Sequence, residues 1–323
     1  MNPIYESGIQ FIQALQTLSP ALDSLMKYIS FLGTIEFFLL FIPFLYWAVS
    51  ASLGFRVLLL LIGTDFLGIF FKQLLRQPRP YWVGDVQALA QETSYGIPST
   101  HASDSLAVWG YLAYRLNKVW LWVLTGLVVL LVGLSRMYLG VHFPTDVLGG
   151  WVLSLVAIFL LVKGEVWLSP FLKRQTTGGL IGIGFLISIL MPLVGWLVGL
   201  LIASSPDPAE WAQYSAQARS ISHYFTLAGA FFGMVAGYTL MRQYAAFEAK
   251  GGWAKRIGRY LLGMVGVLVL YLGLDMLFGL VAADESALGL ALRYIRYGTV
   301  TLWAMFGAPW VFLKLRLAEP AGE

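Results

Sequence analysis

Three short blocks of this 323-residue sequence hold side chains that could bind or transfer an anionic group. The first is Lys72-Gln-Leu-Leu-Arg-Gln-Pro-Arg79-Pro80, which follows a long apolar run. Arginine suits bidentate contacts with phosphate oxygens, whereas lysine acts as a point charge. The block therefore indicates a cation cluster for an anion. The alternative interpretation is a cationic helix end followed by a proline turn.

The second block is Pro98-Ser99-Thr100-His101, which ends a polar loop and precedes another apolar run. Ser or Thr at this place is typical of a helix N-cap. A helix N-terminus also presents free N–H groups and the positive end of the helix dipole, which together favour an anion. A histidine there can act as an acid or a base near neutral pH.

The third block runs from Ser135-Arg136 to His142-Phe-Pro-Thr-Asp146. Pro144 is acceptable in the first turn of a helix. His142 and Asp146 are four residues apart, so they share a face of that helix start. An aspartate beside a histidine fixes its tautomer and leaves the opposite ring nitrogen free. The alternative is a polar pair that only satisfies a helix end.

The elements that must position these blocks are membrane helices. Hydrophobic residues make up 59% of the chain and charged residues 12%, against about 45–50% and about 25% in soluble domains. A bilayer span needs about 20 mainly apolar residues. We predict an all-α polytopic membrane protein with about nine transmembrane helices, at roughly 35–51, 55–75, 100–117, 119–139, 143–163, 178–202, 221–242, 257–281 and 289–314.

Alternating the loops between the two sides of the membrane places all three blocks on one side. Most loop Lys and Arg residues, for example Arg56, Lys118 and Lys173, fall on the opposite side. Because positive residues collect on the cytoplasmic side, the blocks are expected to be extracytoplasmic and the C-terminus cytoplasmic. The predicted location is the plasma membrane, with multiple passes.

Four regions follow from this pattern: residues 1–34, 35–163, 164–177 and 178–323. The first is predicted to form an amphipathic interfacial helix, because Ile4, Ile9 and Ile12 alternate with polar residues. The second carries the three blocks, the third is a linker, and the fourth holds four spans. Three interpretations of those spans stay open: a lipid path, a homodimer surface or a support.

Together the blocks resemble the signature of the type 2 phosphatidic acid phosphatase family. That signature is Lys, six residues and Arg-Pro; then Pro-Ser-Gly-His; then Ser-Arg, five residues, His, three residues and Asp. Ten specified positions match: Lys72, Arg79, Pro80, Pro98, Ser99, His101, Ser135, Arg136, His142 and Asp146. The departure is Thr100, where the family has glycine. Pro-Ser-Thr-His is similar to the variant in sphingosine-1-phosphate phosphatases and their bacterial relatives.

The resemblance implies a metal-independent hydrolysis without a cofactor. In this scheme His142 is the nucleophile and forms a phosphohistidine, Asp146 orients it, and His101 is the general acid and base. The resemblance further assigns the phosphate oxygens to Lys72, Arg79, Ser99, Thr100 and Arg136. The Thr100 N–H can serve if its backbone is not at positive φ.

The expected activity is that of a phosphoric ester hydrolase acting on a lipid phosphate, or an acid anhydride hydrolase if the substrate is a polyprenyl diphosphate. Two other functions stay open: a lipid phosphotransferase using the same phosphohistidine, and a catalytically inactive membrane scaffold. The expected partners are the lipid substrate and the bilayer, and no nucleic acid. The lipid is left open among undecaprenyl diphosphate, phosphatidic acid, phosphatidylglycerophosphate and a sphingoid-base phosphate.

Overall fold

The computed structural model describes residues 3–322, apart from the side chain of Ser215, and the all-α class is confirmed. The helices are α1 (Pro3–Gln16), α2 (Asp23–Phe31), α3 (Ile35–Phe44), α4 (Ala51–Leu75), α5 (Pro80–Val83), α6 (Thr100–Ser105), α7 (Tyr111–Leu116), α8 (Val119–Tyr138), α9 (Pro144–Leu172), α10 (Thr177–Ala203), α11 (Ala212–Ala218), α12 (Ser222–Tyr244), α13 (Trp253–Gly279), α14 (Ala287–Leu302) and α15 (Ala308–Lys314). One π-helical turn extends α3, and two others join α6 to α7 and α14 to α15: Leu45–Val49, Leu106–Gly110 and Trp303–Gly307.

Within residues 3–322, six helical stretches are long and apolar enough to cross a bilayer: Ala51–Val83, Val119–Tyr138, Pro144–Leu172, Thr177–Ala203, Ala216–Tyr244 and Trp253–Gly279. The first includes α4 and α5, and the fifth includes the end of α11 together with α12. A seventh span results if α2 and Ile35–Val49, which meet at 46°, cross together. The protein is thus a multi-span membrane protein. All nine predicted segments are helical, but 100–117 and 289–314 do not meet these criteria. The count of nine stays a prediction.

The N-terminal region contains two helices, α1 and α2, where the sequence predicted one. Helix α1 buries Ile9 and Ile12 in a cluster with Phe143, the residue after His142. Its last residue, Gln16, donates from Nε2 to the carbonyls of Gln87 (2.8 Å) and Tyr138 (3.0 Å). Ile9 and Ile12 therefore pack on protein close to the third block, whereas Ile4 and Phe11 of the same helix are exposed.

The first of two compact units comprises the chain up to Phe38 together with Gly63–Val162 and Leu197–Ser220. The predicted boundaries followed the chain in order, whereas contacts assign 197–220 to the unit that holds all three blocks. Helix α9 continues to Leu172, so most of the predicted linker 164–177 is helical and the chain turns only at residues 173–176.

The second unit comprises Leu39–Ile62, Lys163–Trp196 and the chain from Ile221 onward. Helices α12 and α14 approach closely along glycines of α12. A Cβ atom on Gly233 would lie 2.1 Å from the Gly298 carbonyl oxygen, so only glycine fits there. Small residues at such contacts are the usual means by which membrane helices pack closely.

Candidate active site

The first block is shaped by the way α4 ends. Arg76 adopts a left-handed backbone conformation (φ 47°) one residue beyond the helix, and its N–H donates to the Lys72 carbonyl over 2.9 Å. A residue in this conformation commonly terminates a helix. Pro78 and Pro80 lack the N–H that a continuing helix would need. The chain therefore leaves α4 at Arg76 and places Arg79 beside the helix end.

Lys72 and Arg79 are both buried, with 2% and 1% of their surfaces exposed, and both bind the loop that precedes the second block. Lys72 Nζ donates to the carbonyls of Tyr95 (2.7 Å) and Gly96 (3.0 Å). Arg79 Nη2 donates to the same Tyr95 carbonyl over 3.2 Å. Two cations thus converge on one carbonyl oxygen, which holds them close together.

Arg79 also contacts the third block. Its Nη1 donates to the Val141 carbonyl over 2.9 Å and lies 3.2 Å from His142 Nε2. Its Nε and Nη2 donate to Ser94, at 2.6 Å to the carbonyl and 3.0 Å to Oγ. The Arg79 guanidinium therefore contacts Nε2 of His142, the residue that the family resemblance implies as the nucleophile.

The His142–Asp146 pair has the predicted geometry. His142 Nδ1 lies 3.1 Å from Asp146 Oδ2, and the Phe143 N–H donates to the same oxygen over 3.0 Å. Because a carboxylate accepts, Nδ1 carries the proton and Nε2 presents its lone pair. Gly96 makes this arrangement possible, since a Cβ there would lie 3.0 Å from Asp146 Oδ2 and 2.8 Å from the Pro78 carbonyl.

The charges around His142 keep it neutral. Burial lowers the pKa of His142 well below its usual value, and the nearby positive charges of Arg79, Lys72 and Arg136 lower it further, with a smaller contribution from His101. Side chains from all three blocks are thus close enough to His142 to act on its charge. A neutral imidazole with a free Nε2 is the form that can attack an electrophile.

The second block is joined to the third through the backbone. The Ser99 N–H donates to the Asp146 carbonyl over 2.9 Å, so this amide is engaged within the protein. Ser99 Oγ, in contrast, is buried without a hydrogen-bond partner. Thr100 begins α6, and its φ is not positive. Its backbone therefore meets the requirement stated above for its N–H to bind phosphate. A Cβ atom on residue 68 would lie 2.9 Å from the Thr100 Cγ2, so the glycine at that position makes room for the threonine methyl.

Arg136 is held from two sides. Its Nη1 donates to Ser30 Oγ over 2.8 Å, and its Nη2 forms a short ion pair with Glu92 Oε1. Its Nε is buried and has no partner. The unsatisfied Nε and the Ser99 hydroxyl are two buried polar groups that an anion at this site would satisfy.

Glu92 is the site residue that the sequence analysis missed. Its other oxygen, Oε2, lies 3.9 Å from Arg79 Nη2, so one carboxylate bridges cations of the first and third blocks. Burial raises the pKa of Glu92, but Arg136 and Arg79 outweigh it and lower that pKa to about 2. The carboxylate is therefore ionised at neutral pH and occupies part of the cation cluster.

Two other side chains of this unit have defined surroundings. Trp82 is buried with Tyr95 and Ala218. Asp104 accepts from Thr64 Oγ1 over 2.9 Å.

The fold and the site together define a polytopic helical membrane protein with an oriented, neutral histidine inside a cluster of cations. Comparison with protein families identifies the family to which these features correspond. A model described as PAP2 superfamily matches residues 53–169, and one described as PAP2 superfamily phosphatase, transmembrane extension, matches residues 225–320. The chain carries a PAP2 superfamily phosphatase domain, which confirms the resemblance seen in the three blocks.

Curated relatives of this chain are named phosphatases. Phosphatidylglycerophosphatase B of Bacillus subtilis (strain 168) is 39% identical over 118 residues, which are 33% of this chain and 56% of that protein. Glucose-6-phosphatase 3 of Bos taurus is 33% identical over 187 residues, which are 50% of this chain and 54% of that protein. The chain thus spans about half the length of the curated relatives it matches.

A solved structure also aligns with part of the chain. It is the first transmembrane PAP2 type phosphatidylglycerolphosphate phosphatase from Bacillus subtilis, with a TM-score of 0.46 and 29% sequence identity. The alignment covers 51% of this chain and 87% of that one.

Proposed function

We propose that the protein is a membrane phosphatase that hydrolyses a lipid phosphate or lipid diphosphate through a phosphohistidine on His142. The observation that carries the proposal is a buried, neutral His142 whose Nδ1 lies 3.1 Å from Asp146 Oδ2 and whose Nε2 lies beside Arg79. The positive charges of Lys72 and Arg136 also act on this ring. Phosphoryl transfer needs mainly positioning and charge stabilisation, and this cluster offers both.

In the first step, the lone pair of His142 Nε2 attacks phosphorus as the bond to the leaving oxygen breaks. His101 gives its proton to that oxygen, so the lipid leaves as an alcohol or as a monophosphate. Asp146 accepts the Nδ1 proton of His142 in a hydrogen bond and stabilises the positive imidazole that forms.

In the second step, water attacks the phosphorus of the phosphohistidine. His101 takes a proton from the water, the N–P bond breaks, and Nε2 recovers its lone pair as phosphate leaves. In this proposal His101 takes up a proton with the anionic substrate, gives it to the leaving oxygen and recovers it from water, so the two steps balance.

Five residues are proposed to hold the phosphate oxygens: Lys72, Arg79, Ser99, Thr100 and Arg136. The buried Ser99 Oγ and Arg136 Nε support this assignment, since each lacks a partner within the protein. Because the Ser99 amide is bound to the Asp146 carbonyl, the backbone contribution is assigned to the Thr100 amide. Arg79 has to exchange its contact with His142 Nε2 for a phosphate oxygen when substrate binds.

The lipid nature of the substrate and the membrane side are parts of the proposal. The site lies where α4 and α8 end and where α6 and α9 begin, at one end of four helices. A substrate held by the bilayer would present its head group at such a place. The distribution of Lys and Arg between loops supports a site on the extracytoplasmic face of the plasma membrane and a cytoplasmic C-terminus. Pro-Ser-Thr-His favours a sphingosine-1-phosphate-phosphatase-like branch.

Phosphate release by purified protein from a panel of the four candidate lipids tests the function. We expect activity in the presence of EDTA and an almost complete loss in H142A, because no other group replaces the nucleophile. H223A, which changes a histidine outside the site, is the matched control. Full lipid-phosphate hydrolysis by H142A would refute the proposal, and activity that requires an added alcohol acceptor would favour the phosphotransferase.

A further inference from the structure

The segment that joins α10 to α12 lies between the two regions matched by family models, which cover 53–169 and 225–320. It nevertheless belongs to the compact unit of the three blocks. Within it, α11 places the ring of Tyr214 on that of Trp82, with centroids 4.7 Å apart and planes at 6°. The segment therefore packs directly on the turn that carries Arg79.

Asp207 in this segment has a buried carboxylate, with 2% of its side chain exposed. Its Oδ2 accepts from the Tyr95 hydroxyl over 2.7 Å and from Arg219 Nε over 2.8 Å, and its Oδ1 lies 3.7 Å from Arg76 Nη1. Burial raises the pKa of Asp207, but the hydrogen bonds from Arg219 and Tyr95 outweigh it, and the pKa is lowered. The group is an ionised acceptor at neutral pH.

Tyr95 connects this carboxylate to the site. Its side chain is completely buried, and its carbonyl accepts from Lys72 Nζ (2.7 Å) and Arg79 Nη2 (3.2 Å). Burial and the Asp207 hydrogen bond raise the pKa of the Tyr95 hydroxyl to about 12, so it stays a proton donor. One residue thus contacts Asp207 at one end and two phosphate-binding cations at the other.

The same segment is tied to the end of α4 by further bonds. Arg76 and Arg219 both donate to the Ser205 carbonyl, over 2.6 and 2.7 Å. Gln73, next to Lys72, donates from Nε2 to the Ser220 carbonyl over 2.8 Å. The segment therefore fixes both the helix that carries Lys72 and the loop that receives its ammonium group.

We infer that Asp207 is a positioning residue, which acts through Tyr95 to hold Lys72 and Arg79 where phosphate binds. The inference rests on the proposed function and adds a determinant outside its three blocks. Asp207 does not touch the reacting atoms. Its removal leaves the buried Tyr95 hydroxyl without an acceptor, which favours movement of Tyr95. The two cations then lose a fixed common acceptor.

The test compares D207A and Y95F with wild-type protein by two readouts: the KM and kcat of phosphate release, and the inhibition constant of inorganic phosphate. Displacing positioned groups by about 1 Å commonly costs much of their effect. We therefore expect the KM and the inhibition constant of inorganic phosphate each to rise about tenfold. The kcat should change less, because the cations bind substrate as well as transition state. D284N is the matched control, since Asp284 pairs with Arg293 at 3.3 Å in the other unit.

The double variant D207A/Y95F shows whether the two residues act in one chain. We expect it to be no more impaired than D207A alone, because residues of one network are non-additive, and D207E should restore part of the affinity. Thermal unfolding, measured in parallel, separates loss of fold from loss of position. Wild-type phosphate affinity in D207A and Y95F, or strictly additive effects, would overturn the inference. Failure of wild-type protein to bind or release phosphate would instead overturn the proposed function, and the inference with it.

Discussion

Replacing Glu92 with glutamine removes the negative charge that lies among the cations proposed to bind phosphate. This carboxylate pairs with Arg136 and lies 3.9 Å from Arg79. An arriving phosphate must take over at least one of these contacts, because two anions cannot share one guanidinium edge without repulsion. If the cluster binds phosphate as proposed, Glu92 competes with phosphate, and the E92Q protein should bind phosphate more tightly.

The magnitude follows from the contacts. A hydrogen bond to a charged group contributes about 1.5–3 kcal/mol. Glu92 has one such bond and one longer ion pair, and its side chain is 25% exposed, so solvent screening favours the lower end. A difference of about 1.4 kcal/mol is a factor of about ten in affinity. We therefore expect the inhibition constant of inorganic phosphate to fall about tenfold in E92Q.

The assay is competitive inhibition of lipid-phosphate hydrolysis by inorganic phosphate at neutral pH, in purified wild-type and E92Q protein. E165Q is the matched control, because Glu165 forms an equally short pair with Arg56 in the other compact unit. An unchanged or weaker affinity for phosphate in E92Q, with E165Q behaving as wild type, would show that Glu92 does not compete for the cations.

Three further predictions concern the same site. D146N should lower kcat by roughly 10³–10⁴-fold, because the wrong His142 tautomer then prevails; single-turnover phosphate release measures this, and a loss under tenfold would contradict it. The pKa of Glu92 is lowered from an ordinary 4.5 to about 2, so its stabilisation is complete above about pH 4.5 and lost as the pH falls toward 2. Thermal unfolding against pH should show this loss in wild-type protein and a smaller one in E92Q. T100G should lower stability by about 1 kcal/mol, through loss of the methyl packed at Gly68, with kcat nearly unchanged; a large fall in kcat would show that the threonine has a catalytic role.

The three blocks could be recognised from sequence because each is short and local, whereas the roles of their residues stay predictions from the family resemblance. His142 and Asp146 are four residues apart around the start of α9, and this short spacing favours the contact that the structure shows at 3.1 Å. Pro78 and Pro80 around Arg79 fix a turn in the same way. The all-α membrane class followed from composition, since a chain this apolar has few alternatives.

The residues that sequence reasoning missed make contacts at long range. Glu92 lies in a polar loop, where a single acid usually indicates a solvated surface, and it meets Arg136 44 residues later. Ser30 meets the same arginine across 106 residues, and Tyr95 meets Asp207 across 112. Such contacts depend on how helices pack in three dimensions. The division into compact units differs from the predicted regions for the same reason, because the end of α10 and the segment after it, 197–220, belong to the unit that holds the three blocks.

The bond from the Ser99 N–H to the Asp146 carbonyl has a consequence for how this protein can change through mutation. It joins the starts of α6 and α9 through main-chain atoms, which every amino acid except proline provides at position 99 and every amino acid provides at position 146. Under the proposed mechanism, a substitution of Asp146 would therefore remove the carboxylate that orients His142 and leave this main-chain connection in place. We expect inactive descendants of such a gene to keep their fold, and to remain available for roles in which the assembled helices matter and hydrolysis does not.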